Sequence, residues 1–274
     1  MPMLNKTILA NRLDVDAHTR QKLAASLTAE QVDLIPYLPY LLQDLNALGT
    51  SPQVLISLIN AFIPEPAKRK FLDLGCGKGA VSLAVAERFK ASVTGIDIMP
   101  AFIESAAMEA EKRNLSKQCI FKTDDINNSV KLEVNYDCVI LGAVGDILGE
   151  PEETLSKLSA TVKDGGFIII DDAYLREDGI PVKYVKHDYL TKGQWQELFE
   201  QLGITVLAEC NFDDSEIDKQ NRADVLKIEI RAQELSDSFP DKRELFEGYV
   251  VSQHKECDDL CDAVVGVVWL LQKA

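Results

Sequence analysis

The chain opens on a broken helical pattern. Between residues 18 and 48 the apolar positions Leu23, Leu27, Val32, Leu34, Leu41, Leu42 and Leu45 keep a helical spacing, but Pro36 and Pro39 cut it into pieces. An irregular helical lead-in is expected. Ser51 and Pro52 then supply a cap and a pre-set first turn, and Val54, Leu55, Leu58, Ile59 and Phe62 form one helical face until Pro64 and Pro66 stop it.

From there short apolar runs alternate with amphipathic stretches, the pattern of parallel strands joined by crossover helices. Strands are expected at Phe71 to Leu74, Ser92 to Ile96, Cys119 to Lys122, Cys138 to Leu141, Phe167 to Ile170, Ile204 to Ala208 and Val264 to Leu271. Helices are expected at 79–89, 100–113, 151–162 and 191–202. The fold class is α/β, a doubly wound and mostly parallel seven-stranded sheet. The stretch from Cys210 to Asp262 is far longer than an ordinary connection and has helical patterns of its own at Val225 to Leu235 and Arg243 to Cys261. The expected organisation is therefore a helical lead-in or cap over 1–69, a sheet core over 70–210 with 263–274, and a helical insertion over 211–262.

The strongest chemical signal is Phe71-Leu72-Asp73-Leu74-Gly75-Cys76-Gly77-Lys78-Gly79-Ala80, a buried strand that runs through glycines into a helix. Glycine lets such a turn bend sharply and approach a ligand closely. By spacing alone Gly75, Gly77 and Ala80 also satisfy a dinucleotide fingerprint, with Asp97 near the expected distance of about twenty residues downstream. Asp73 argues against that cofactor, because a carboxylate beside the helix N-terminus would repel a pyrophosphate.

Over about residues 70 to 172 the sequence resembles the class I S-adenosylmethionine-dependent methyltransferases, whose first motif is an acidic residue followed by Gly-x-Gly-x-Gly; Asp73, Gly75, Gly77 and Gly79 match it. The resemblance implies a Rossmann-like fold, S-adenosylmethionine as cofactor and methyl transfer as activity. It implies that Asp97, with Ile98 beside it, receives the ribose hydroxyls. Asp124 would accept from the adenine amino group, with Asp125 contributing a backbone N–H. Cys76 lies in the glycine loop, and Leu141 and Gly142 would pass under the methionine portion. Lys163 to Ile170 resembles the turn and fifth strand of the same family.

Methyl transfer from a sulfonium needs positioning, exclusion of water and sometimes a base. Of the three histidines, His187 follows the fifth strand and is the candidate base, while His18 and His254 fall outside the core. Tyr174, Tyr37, Tyr40 and Arg222 are candidates to line an enclosed acceptor site, with Tyr249 a further polar-tipped side chain of the insertion. Asp171 and Asp172 end the fifth strand and suit a substrate or structural role; no metal is expected, since no supporting Asp-Asn pair follows.

Composition narrows the acceptor. With 29 Lys and Arg against 44 Asp and Glu, the formal charge is −15, which disfavours a nucleic acid. The fourth strand also lacks the Asn or Asp, Pro, Pro, aromatic motif of enzymes that methylate bases. A small-molecule acceptor is expected, with a homo-oligomer left open. The first thirty residues hold no long apolar stretch, so neither a signal peptide nor a membrane partner is expected. The six cysteines form no Cys-x-x-Cys pair, which suits a reduced, cytoplasmic setting and buried thiols. Two other classes stay open, a non-catalytic S-adenosylmethionine-binding partner protein and a nicotinamide-dependent oxidoreductase.

Overall fold

The structure is a computed structural model that describes residues 13–184, 188–212 and 214–274. In chain order its helices are α1 (Ala17–Ser26), α2 (Leu38–Leu41), α3 (Pro52–Phe62), α4 (Ala80–Phe89), α5 (Pro100–Lys112), α6 (Ile126–Ser129), α7 (Pro151–Thr161), α8 (Lys192–Gln201), α9 (Asp214–Ser238) and α10 (Arg243–Asp262). The strands are β1 (Lys70–Leu74), β2 (Ser92–Asp97), β3 (Cys119–Thr123), β4 (Tyr136–Gly142), β5 (Val162–Leu175), β6 (Ile204–Asn211) and β7 (Val264–Lys273). Two compact units result, one of residues 47–173, 192–211 and 266–274, the other of 1–46, 174–191 and 212–265.

The first unit is built on a seven-stranded sheet in the order β3-β2-β1-β4-β5-β7-β6. β1 pairs in parallel with β2 and β4, β2 with β3, and β4 with β5, whereas β6 and β7 pair antiparallel. The central strands are apolar on both faces because helices cover both, so Phe71, Leu72, Val139, Ile140, Ile168 and Ile169 are all buried. At the edge, β3 exposes Ile120 and keeps Cys119 buried. Proline opens α3, α5 and α7 at a position where its missing N–H costs nothing. α8 is held by aromatic packing: Trp195 and Phe199 meet Trp269 of β7 with ring centres 5.0 and 5.5 Å apart.

The strand positions agree with the sequence pattern, and β5 is the main exception. It starts at Val162 and runs to Leu175, because Lys163 to Gly166 bulge out between the pairs Tyr136↔Val162 and Cys138↔Phe167 rather than forming a separate turn.

The second unit contains α1, the 3-10 turn Val32–Tyr37, α2, α9 and α10. The expected lead-in is irregular as its prolines require: Pro36 lies in the 3-10 turn and Pro39 in the first turn of α2. Tyr37 packs edge-on against Phe239 and Phe246, with ring centres 5.8 and 5.0 Å away. The buried Tyr249 hydroxyl donates to the Leu27 carbonyl at 3.1 Å, and the Asp259 carboxylate accepts from the backbone N–H groups of Lys183 and Tyr184 at 2.7 and 2.6 Å. The lead-in and the insertion thus share one core. No helix among the described residues is long and apolar enough to cross a membrane.

Candidate functional site

β2 and β3 lie to one side of β1 and β4 lies to the other, so the winding reverses between β1 and β4. In open parallel sheets ligands collect beyond the carboxyl ends of the strands at such a reversal. The glycine loop leaves β1 there and Gly142 ends β4 beside it.

Gly75, Gly77 and Gly79 all have positive φ, at +69°, +51° and +78°. The turn is tied to the end of β2. The N–H groups of Gly75 and Cys76 both donate to the Ile96 carbonyl, at 2.8 and 3.0 Å. Gly77 N donates to Asp97 Oδ2 and Met99 N to Asp97 Oδ1, each at 2.8 Å. A carboxylate offers about four lone-pair positions. Gly77 N and Met99 N occupy one position on each oxygen, and with the Ile98 N–H also facing the carboxylate only part of its acceptor capacity is left over. Burial pushes its carboxyl up to about 6, against the backbone N–H groups of Met99, Gly77 and Ile98 that favour the charge.

Asp73 has a different place. It is buried, and its Oδ2 accepts from the Ser82 hydroxyl at 2.6 Å in the first turn of α4. Burial raises its carboxyl to about 6, with the Ser82 hydroxyl and N–H opposing. The positive end of α4 is thus already met by an internal carboxylate, which disfavours a phosphate at the same helix end.

Packing explains two further glycines. A Cβ on Gly79 would come within 2.9 Å of the Phe121 ring and of Ala106, and one on Gly95 within 2.8 Å of the same ring. Phe121, on β3, therefore fixes part of what the spacing suggested was a ligand requirement. Cys76 is buried within the loop, and burial followed by the Asp73 and Asp97 charges pushes its thiol up, which disfavours the thiolate.

Asp124 follows β3, and its backbone N–H donates to the Asp97 carbonyl at 3.1 Å. Its Oδ1 accepts from Asp125 N at 2.9 Å and its Oδ2 from the Ser129 hydroxyl at 2.8 Å. Asp125 caps α6, accepting from Asn127 N at 2.8 Å. The acidic pair thus shapes the start of α6 beside the Asp97 end of β2.

At the end of β4, Leu141 is buried and Gly142 pairs with Asp171 of β5. Ala143 then takes a left-handed φ of +53°, and its N–H donates to the Asp171 carbonyl at 3.0 Å. Across these ends lies the segment Leu48-Gly49-Thr50, which the sequence pattern did not single out. A Cβ on Gly142 would sit 2.4 Å from Thr50 Oγ1, one on Gly49 2.6 Å from Ala143 Cβ, and one on Gly77 3.2 Å from Leu48 Cδ1. Only glycine at 49 and 142 lets this strap lie so close. Three residues without periodicity give no pattern to read, and Gly49 before the Ser51-Pro52 cap is the sole hint.

The expected acceptor residues are otherwise engaged. Tyr37 is ring-packed, the Tyr40 hydroxyl donates to Glu234 at 2.7 Å, and Arg222 pairs with Asp218 at 2.6 Å, all inside the helical unit. Tyr174 is buried near the end of β5. His187 lies outside the described residues.

The family model for a methyltransferase domain matches residues 66–229, more than half of the chain. A ubiquinone biosynthesis O-methyltransferase from Saccharophagus degradans is 33% identical over 104 residues, 38% of this chain and 43% of that protein. EEF1A lysine methyltransferase 2 from Mus musculus is 30% identical over 112 residues, 38% of this chain and 46% of that protein. The chain therefore spans under half the length of these curated relatives. Among solved structures, an S-adenosylmethionine-dependent methyltransferase from Thiobacillus denitrificans in complex with S-adenosyl-L-homocysteine has a TM-score of 0.73 at 21% identity, covering 87% of this chain and 98% of that one.

Proposed function

This chain belongs to the methyltransferase-domain family and has a Rossmann-like fold, and from that premise we propose that it is an S-adenosylmethionine-dependent enzyme that methylates a small-molecule acceptor. The observation that carries the proposal is the strap Leu48-Gly49-Thr50, packed against Gly77, Ala143 and Gly142 over the strand ends. A transfer point covered by the enzyme's own chain suits a compact acceptor better than a polymer and keeps water from it. The charge of −15 works against a nucleic acid in the same direction. A reduced, cytoplasmic setting belongs to this proposal, supported by six free cysteines.

The residues present fit the cofactor. The loop Gly75 to Gly79 takes positive φ at each glycine, and the half-buried Asp97 carboxylate at the end of β2 retains acceptor capacity beyond the backbone N–H groups it holds, which suits the hydroxyls of a ribose. Bound there, S-adenosylmethionine supplies a methyl group already activated on a sulfonium. In this proposal Asp97 holds the ribose with Ile98 beside it, Asp124 faces the adenine amino group, and Leu141 and Gly142 floor the methionine side. The protein's contribution to rate is alignment and exclusion of water.

Methyl-labelled S-adenosylmethionine, incubated with a cell extract with and without the enzyme, should give an enzyme-dependent labelled product that is dialysable and separates from S-adenosylmethionine on chromatography. Label retained on protein or nucleic acid would overturn the small-molecule proposal.

Asp97 gives cofactor binding a pH dependence, to which Asp73, raised to the same range, adds through the fold. The Asp97 carboxyl is raised in the folded chain to about 6, so protonation favours the free fold, and this stability contribution, full below the ordinary value of 3.8, is lost as pH rises through about 6. Ribose hydroxyls need the ionised form. Affinity for S-adenosylhomocysteine should therefore rise by up to roughly tenfold per pH unit between about pH 5 and 6 and level off near 7. Titration calorimetry in two buffers of different ionisation enthalpy should show proton release on binding at pH values near 6. A flat profile would remove Asp97 from the ribose role.

A further inference from the structure

We propose that two copies of this chain associate through α9, which lies antiparallel against the same helix of a second copy along an exposed seam centred at the level of Ile228. This contact is independent of which acceptor the chain methylates.

α9 carries two lines of side chains on opposite sides. Val225, Ile228, Ala232 and Leu235 are buried and hold the helix to its own unit. Across the helix from them Lys219, Ala223, Leu226, Ile230, Gln233 and Asp237 are all exposed, Leu226 and Ile230 by 59% each. Their spacing of four, three, four, three and four residues is that of the a and d positions of a coiled coil, the repeat by which two helices pack side by side. One apolar face is enough to seat a surface helix on its own core, so a second one needs another occupant.

The order of residues along the seam selects that occupant. Lys219 and Asp237 stand nine residues either side of Ile228, Ala223 and Gln233 five, and Leu226 and Ile230 two. A second α9 running antiparallel about a two-fold axis at that level sets Leu226 of each copy beside Ile230 of the other, Ala223 beside Gln233, and Lys219 beside Asp237. Apolar pairs then fill the centre and opposite charges close both ends. A two-fold contact requires a face complementary to itself, and this one is. Parallel pairing would set Lys219 against Lys219 and Asp237 against Asp237, which repels. The Asp237 carboxylate accepts from Gln233 Nε2 at 2.8 Å and lies 3.9 Å from Arg243, yet its side chain keeps 66% exposure and can meet a further cation. One helix face of six positions offers less than the roughly 800 Å² per partner of a standard interface, so the association should be weak and concentration-dependent.

The test is sedimentation equilibrium on the full chain from about 1 μM to about 500 μM, a range chosen for a small interface. Monomer should give way to dimer as concentration rises. Leu226→Glu combined with Ile230→Glu should melt like the parent, since both positions are exposed. It should weaken association by about a hundredfold or more, because dimerisation would bury four unpaired carboxylates. Lys219→Glu alone should weaken the dimer by about threefold or more, and adding Asp237→Lys should restore it. That swap also serves if the double glutamate variant does not fold. A chain that stays monomeric at every concentration refutes the contact, and so does a dimer that survives Leu226→Glu with Ile230→Glu. A dimer indifferent to Lys219→Glu, or not restored by the paired swap, would overturn the antiparallel register.

Discussion

Gly77→Val should lose S-adenosylhomocysteine binding while the chain keeps its fold. Gly77 sits at φ +51°, where an L-residue pays about 1–2 kcal/mol and a β-branched one more. Its added Cβ would lie 3.2 Å from Leu48 Cδ1, and the two γ carbons of valine would extend beyond it into the space over the loop. Overpacking of this kind costs about 1–3 kcal/mol of folding stability, and affinity is lost because the same γ carbons take up space over the loop that the proposed cofactor needs. A shift adds to the loss, because Gly77 N is one of the backbone donors that orient Asp97. Melting temperature should drop modestly, since β1 and α4 are held by buried side chains on either side of the loop. Far-UV circular dichroism, thermal melts and calorimetry separate the two effects, and Gly77→Ala should fall between parent and valine. A folded Gly77→Val protein with parental affinity would make the loop a structural turn only.

Asp97→Ala should weaken cofactor binding by about 1.5–3 kcal/mol, the range for hydrogen bonds to a charged group. The free protein should lose stability as well. Removal of the carboxylate strips acceptors from Gly77 N and Met99 N, and an unsatisfied backbone donor costs about 1–3 kcal/mol if water cannot reach it. Asp97→Asn separates the roles. Its single carbonyl oxygen can hold one of the two backbone donors, so much of the stability returns, but it cannot also serve a diol and affinity stays low. Measured by calorimetry beside thermal melts, an Asp97→Asn affinity within twofold of the parent would leave Asp97 as a brace for the turn alone.

Local pattern was enough to place most of the scaffold. The buried runs at Phe71 to Leu74 and Cys138 to Leu141 can be covered on both faces only in the middle of a sheet, and β1 and β4 stand there. The glycine turn, the acidic ends of β2 and β3 and the helices that follow them could likewise be read, because each depends on residues close together in the chain. β5 was less legible. Its bulge at Lys163 to Gly166 depends on pairing with β4, which local pattern does not record.

What the sequence by itself determined is the class of fold and the family, since strand hydrophobicity and the spacing of Asp73, Gly75, Gly77 and Gly79 are properties of the chain. Tertiary structure alone decided what those residues face. It turned Asp73 inward onto Ser82, gave Gly79 and Gly95 to the Phe121 ring, and joined the lead-in to the insertion through Tyr37 and Phe246. It also laid Leu48-Gly49-Thr50 across strand ends that lie far along the chain. The physical reason is that burial, desolvation and unmet hydrogen bonds arise only when distant segments meet, and no periodicity encodes such a meeting.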